Sequence, residues 1–377
     1  MKYLKIFSIL SVMLAAQSCV SADEDRVPAP PITGSSVNVP IGGATEPNQV
    51  WIDLSDMVKD ENEPRKTINK RTDWDLGFYS GDDFRVIING SLAMTVIKIP
   101  NATDISKVKE GDVESLKDIA QVGTFDSENM KYIDNPNGQF LTQTSGIEAI
   151  KANDAENPIY LVNLGREIPS ANNIGAGSVS LSGDPRGWMK VQILRAANGY
   201  KIRYADLNAG SEGVKEHIIT KDPEYNFAFF NLKTGTPAKI QPKKKSWDIA
   251  FTTFTNEVFM GPGSSAGSYF YADFITTNTL DGVGAYQVNV TGNLEQAYAA
   301  FKLKDVDASK FVFNDHRAIG DKWRTTTGTP DNPVPFVYAN RFFILKDTNG
   351  FYFKLKFSSM KSLKGERGFT GFAFDPL

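Results

Sequence analysis

Cysteine is almost missing from this chain: its 377 residues contain one, Cys19. A single thiol forms no disulfide within the chain and builds none of the two- or four-cysteine zinc sites. Histidine is nearly as scarce, with His217 and His316 alone. A serine or cysteine triad would therefore have little to serve as base, and no Gly-x-Ser-x-Gly elbow is present. Neither sign of charge dominates: 41 Lys and Arg stand against 44 Asp and Glu, a formal net charge of −3. No arginine-rich stripe marks a nucleic-acid surface. Beyond the N-terminal segment, no apolar run is long enough to span a bilayer. The glycine-rich run Gly261–Gly267 lacks the lysine of a phosphate-binding loop and reads as a hairpin tip. Carboxylates are plentiful, but none stands in a recognisable glycosidase motif. These absences together point to a binding protein rather than an enzyme.

What the chain does have begins at its N-terminus. Two lysines lie within Met1–Lys5, and the apolar stretch Ile6–Ala16 leads to Gln17, Ser18 and Cys19. An apolar segment this short fits a signal peptide, residues 1–18, and not a membrane span. A Cys after a small residue at its end is similar to a lipobox, with cleavage before Cys19 and acylation of that residue. Acyl chains contribute roughly 0.8 kcal/mol per buried methylene, enough for firm anchoring when several are attached. The acidic run Asp23–Asp25 that follows resembles the surface-export signal of Bacteroidetes lipoproteins. Residues 19–47, rich in Pro, Gly, Ser and Val, read as a lipidated Cys and an extended tether.

The remainder carries a pattern twice. Trp74-Asp75-Leu76-Gly77-Phe78 matches Trp247-Asp248-Ile249-Ala250-Phe251. Each is preceded by a strand-like piece closing on an acidic or amide residue and Leu: Asp53-Leu54 in one case, Asn231-Leu232 in the other. The ends of the halves correspond too: 158–165 with 340–347, 187–194 with 350–357, and 198–204 with 367–374. All are short alternating runs bounded by Gly, Asn or Asp, the signature of half-buried antiparallel strands. Abundant Phe (25) and Tyr (13) agree with that β bias. The expected architecture is mostly β: two tandem antiparallel domains, 48–220 and 221–377, with short helices in their inserts. The stretch 104–120 has mixed helical character, and 293–302 is the best helix candidate. Repetition of Asp after Trp at one strand position suggests that Asp75 and Asp248 bond backbone groups of a neighbouring turn.

These motifs resemble the HmuY family of Bacteroidetes haem-binding surface lipoproteins. The resemblance rests on Trp247–Phe251, on 351–357 and on the closing Gly365-Glu366-Arg367-Gly368-Phe369-Thr370. It is strongest over 226–377 and extends to most of the chain beyond the tether. It implies a β fold, an outer-membrane, surface-exposed location, and haem capture with transfer to a TonB-dependent outer-membrane transporter. It further implies axial residues for the haem iron, two His or Met in known members. The candidates here are Met94, Met130, Met260 and His316, read as Met94 with Met130 and Met260 with His316. His217 reads as a residue of the linker between the repeats, and Met189 and Met360 as packing. A second reading keeps the fold without an iron site, as a glycan- or protein-binding surface module. In that case Tyr269, Phe270, Tyr271 and Tyr286, expected in the inserts, would stack on sugar rings.

Overall fold

The computed structural model describes residues 33–59, 61–142 and 146–377. The signal peptide, Cys19 and residues 20–32 of the expected tether lie outside the described residues; from Ser35 the rest joins the fold, with Ser35–Asn38 a strand and Val37, Val39 and Ile41 buried. Of the described residues 41% are in strand and 12% in helix, so the mostly β expectation holds. Among the described residues the α-helices, Glu114–Ile119 and Leu294–Ala300, are short, and both sit in the inserts. The second starts where Asn293 accepts the Gln296 amide at 3.0 Å, an N-cap that closes one otherwise open donor. Among the described residues no helix is long and apolar enough to cross a membrane.

Four large antiparallel sheets form two sandwiches. In the first, the five strands Thr95–Lys98, Ile159–Asn163, Trp188–Ala196, Gly199–Asp206 and Lys215–Thr220 face a four-stranded sheet. That second sheet joins Leu76–Tyr79 and Val86–Ile88 to Phe227–Asn231 and Thr236–Ala238. In the other sandwich, Gly284–Asn289, Arg341–Lys346, Tyr352–Lys361, Arg367–Pro376 and Ser35–Asn38 form the outer sheet. Its inner sheet joins Asn48–Val58 and Glu63–Lys70 to Ile249–Gly261 and Ser264–Thr277.

The two inner sheets thus each mix strands from both sequence repeats. The hairpin 48–70 of the first repeat pairs with Ile249–Gly261 of the second, through Ile52 opposite Ile249. In return, Phe227–Asn231 of the second repeat pairs with Leu76–Tyr79 of the first, through Phe229 opposite Gly77. The repeated Asp locks the exchange from both sides. Asp75 Oδ2 accepts the Leu232 amide at 2.7 Å, and Asp248 Oδ2 accepts the Leu54 amide at 2.8 Å. The motif residues legible in sequence as a pair, Trp-Asp and Asx-Leu, therefore meet across repeats rather than within them.

Period-two alternation gives each inner sheet two apolar faces. Ile249 and Phe251 point into one sandwich core, while Ala250 points the other way. Phe230 enters the other core, and Phe227 and Phe229 turn outward. The outward sides meet in an aromatic layer of Trp51, Trp74, Phe227, Phe229 and Trp247. There, Trp74 packs edge-on against Phe229 and Trp247 against Trp51, each with ring centroids 4.8 Å apart. Such pairs add about 0.5–1.5 kcal/mol beyond burial. Gly77 is small for a packing reason: a Cβ there would lie 2.8 Å from Ile87 and 3.1 Å from Phe229. Each insert is pinned by a buried lysine at a related strand position. Lys190 Nζ donates to the carbonyls of Val108, Leu207 and Ala209, and Lys354 Nζ to those of Tyr298 and Phe301.

His217 lies not in a linker but in the strand Lys215–Thr220, with its ring 5.1 Å from that of Phe230. The continuous ladder to Gly199–Asp206 carries it there. Tyr269, Phe270 and Tyr271 likewise belong to a strand, Ser264–Thr277, and Tyr286 to Gly284–Asn289, because their alternating pattern is itself a strand signal. Met189 and Met360 are buried strand residues.

Candidate functional site

Two concavities lie where the repeats meet. The smaller, about 160 Å³, opens beside the aromatic layer and is lined by Trp51, Trp74, Trp247, Met94 and His316 among others. The larger, about 860 Å³, is a cleft lined from the first repeat by Phe125 and Arg166 and from the second by Tyr269, Tyr271, Arg324 and Arg367. Neither repeat holds either concavity alone.

The structure brings Met94 and His316 to the smaller cavity, while Met130 and Met260 line neither. Met94 is fully buried, packed in the core of the first sandwich. His316 Nε2 donates to the Pro136 carbonyl at 2.8 Å. On the other side of its ring, Nδ1 lies 2.7 Å from where a Cβ of residue 138 would be, a place kept free because residue 138 is glycine with φ 81°. Burial lowers the His316 pKa to about 4, so the ring is neutral at pH 7. Met130 sits half-buried in the 3₁₀ turn Ser127–Tyr132, and Met260 is 78% exposed near the tip of the hairpin 249–277. A cavity of about 160 Å³ is of the size that takes a single benzene ring, about 150 Å³. A porphyrin exceeds it severalfold.

The larger cleft lies within the roughly 300–1,000 Å³ typical of sites for sizeable organic ligands. Its aromatic wall is open to solvent: Phe125 is 56% and Tyr269 43% exposed, with ring centroids 6.0 Å apart. Tyr271 follows edge-on to Tyr269 at 5.6 Å. Its charged lining is one-sided, with three arginines and, among the described residues, no Asp, Glu, Lys or His. Arg166 stands exposed at the rim. Arg324 and Arg367 are buried, and the Nε of each has no hydrogen-bond partner. Behind them Arg367 pairs with the buried Asp273, and Arg71 stacks 5.9 Å from the centroid of Phe270. Glu46, whose carboxylate accepts the Asp273 amide, is raised well above the usual carboxylate range by burial and by Asp273, which leaves the arginines less countered.

Backbone strain concentrates here too. Ala93, Phe125 and Asp273 adopt φ of 57°, 57° and 50°. Ala93 and Phe125 line the cleft and Asp273 adjoins it. A left-handed backbone costs a non-glycine residue about 1–2 kcal/mol, and is rarer still for a bulky one such as Phe125. Residues held so are enriched where ligands are clamped. Sequence reasoning missed Phe125, Arg166 and Arg324, because none belongs to a repeated motif, and read Arg367 only as part of the closing strand motif, not as a site residue. The Tyr269–Tyr271 aromatic cluster was its one signal for this cleft. Among the described residues no cluster of His, Cys, Asp and Glu is arranged to hold a metal ion.

The HmuY protein family matches the chain over residues 45–220 and again over 224–374. No curated protein is similar to the chain at a significant level. Solved structures with some likeness include an apo HmuY analog of Tannerella forsythia, 20% identical, covering 46% of this chain and 88% of its own with a TM-score of 0.20. A Bacteroides vulgatus protein described as HmuY-like and heme binding is 12% identical, covering 50% and 91%, TM-score 0.21. A Bacteroides fragilis protein described as a lipoprotein is 12% identical, covering 55% and 96%, TM-score 0.21. With the family's unit matched twice along most of its length, the chain belongs to the HmuY family.

Proposed function

We propose that this protein is a surface lipoprotein that captures haem or a closely related tetrapyrrole in the large cleft between its repeats. The observation that carries the reading is the lining itself: exposed aromatic rings beside three arginines and no carboxylate. Flat apolar rings stack on such a wall, and carboxylate side arms pair with guanidinium forks. Membership in a family of binding proteins supports it, as does the heme-binding description of the B. vulgatus relative. In this reading Cys19 carries the lipid anchor in the outer membrane. The repeats divide at 220/221, and the cargo passes to a TonB-dependent transporter. The protein is not an enzyme.

The test is a titration of residues 20–377 with haemin, followed in the Soret band. Saturable binding is expected, weakened about tenfold or more by Tyr269→Ala and by Arg166→Gln. Both side chains are exposed, so the fold should be unaffected. A flat titration, or one indifferent to both substitutions, removes the cleft as a tetrapyrrole site.

A further inference from the structure

Haem capture of the kind the family suggests would have the iron held by protein donors, and the residues present do not fit that requirement. The cleft large enough for a porphyrin has no His, Met or Cys among its described lining residues. Its oxygen donors nearest the aromatic wall are the phenols of Tyr269 and Tyr271, and burial raises the Tyr271 phenol above its ordinary value. A phenol kept protonated is a poor ligand for iron. The two residues that do carry suitable donors, Met94 and His316, share a cavity of about 160 Å³ that admits no porphyrin, and His316 Nε2 is already bonded to the Pro136 carbonyl.

Resting on the reading that the large cleft is the ligand site, we propose that it recognises the ring system and the carboxylates of a tetrapyrrole and leaves the metal uncoordinated. An iron-free porphyrin is then a ligand in its own right. The charge balance agrees. A porphyrin with two carboxylates carries about two negative charges at neutral pH, and ferric iron in the ring cancels one of them. Of the three lining arginines, Arg367 is paired with Asp273 and Arg324 lies 3.7 Å from Asp321, which leaves Arg166 the least countered; a lining with this excess cation and no carboxylate of its own favours the more anionic, metal-free form or treats the two alike. Arg166, exposed at the rim, is placed to pair with a carboxylate arm and has nothing to offer an iron atom.

The experiment compares haemin, metal-free protoporphyrin and its dimethyl ester on residues 20–377, by quenching of tryptophan fluorescence and by electronic spectra. Expected are affinities for the first two within about threefold, a haemin spectrum without low-spin bands, and a loss of about tenfold or more for the ester. Arg166→Gln should weaken both free acids by the same factor. Haemin binding some thirtyfold tighter than the metal-free ring, with a low-spin spectrum lost in Met94→Ala or His316→Ala, overturns the proposal while leaving haem capture standing. Undiminished binding of the ester overturns the role given to the arginines. Failure of all three to bind overturns the cleft reading beneath it.

Discussion

Removing the Asp75 carboxylate should show how the exchanged strands are held. Its side chain has no exposure, accepts the Leu232 amide at 2.7 Å and pairs with Arg186, whose side chain is 2% exposed. Asp75→Ala leaves a buried guanidinium and a buried amide without this partner at once. Stranding one member of a buried ion pair costs about 3–5 kcal/mol. The repeat supplies an internal control. Asp248 accepts the Leu54 amide at 2.8 Å in the same way but has no cation beside it, and burial with Asp53 and Asp347 raises its pKa. Asp248→Ala therefore loses hydrogen bonds, the Leu54 amide and a longer one from Thr348 at 3.4 Å, and not an ion pair, about 1–3 kcal/mol. Urea denaturation followed by tryptophan fluorescence should find Asp75→Ala the costlier by roughly 2 kcal/mol. Adding Arg186→Met should return part of the loss, since the stranded charge is then gone. Equal costs at the two sites, or a cost below about 1 kcal/mol for Asp75→Ala, would refute the argument.

Other outcomes follow from the same structure. Because each inner sheet needs strands from both repeats, both sandwiches should unfold in one transition, whereas residues 33–220 and 221–377 made separately should each be unstable and should recover structure on mixing, as judged by circular dichroism. Phe125→Gly relieves a left-handed backbone and removes little buried surface, so it should leave stability unchanged or raise it by about 1 kcal/mol while weakening ligand binding. Burial raises the Asp134 pKa to about 7. The folded state then holds a proton that the unfolded chain releases near pH 4, so this group's contribution to stability falls as pH rises from about 4 to 7. Asp134→Asn should flatten that part of the stability–pH curve relative to the parent. His316, lowered to about 4, acts in the opposite sense: stability rises between about pH 4 and 6.5, a slope that His316→Asn should remove. Cys19→Ala should release the protein from the membrane fraction and abolish labelling by a fatty-acid probe.

The sequence by itself determined the β class, the duplication and the family. Alternation of apolar and polar residues is a local consequence of strand geometry, and a duplicated Trp-Asp strand is visible wherever the chain goes afterwards. It also gave the structural role of Asp75 and Asp248, since a short acid at a strand entrance has few uses except bonding nearby amides. Which amides it bonds was not legible. Leu54 and Leu232 each stand closer in sequence to the Trp-Asp strand of their own repeat, and only the packing of two-faced inner sheets sends each hairpin to the other repeat. The candidate site was hidden for the same reason. Met94 and His316 are 222 positions apart in sequence yet line one cavity, and Phe125, Arg166 and Arg324, scattered residues of no motif, line one cleft with Arg367 of the closing strand motif. Local pattern fixes secondary structure because it depends on neighbours along the chain. A binding surface depends on neighbours in space, and in this protein the exchange of strands between repeats decides who those neighbours are.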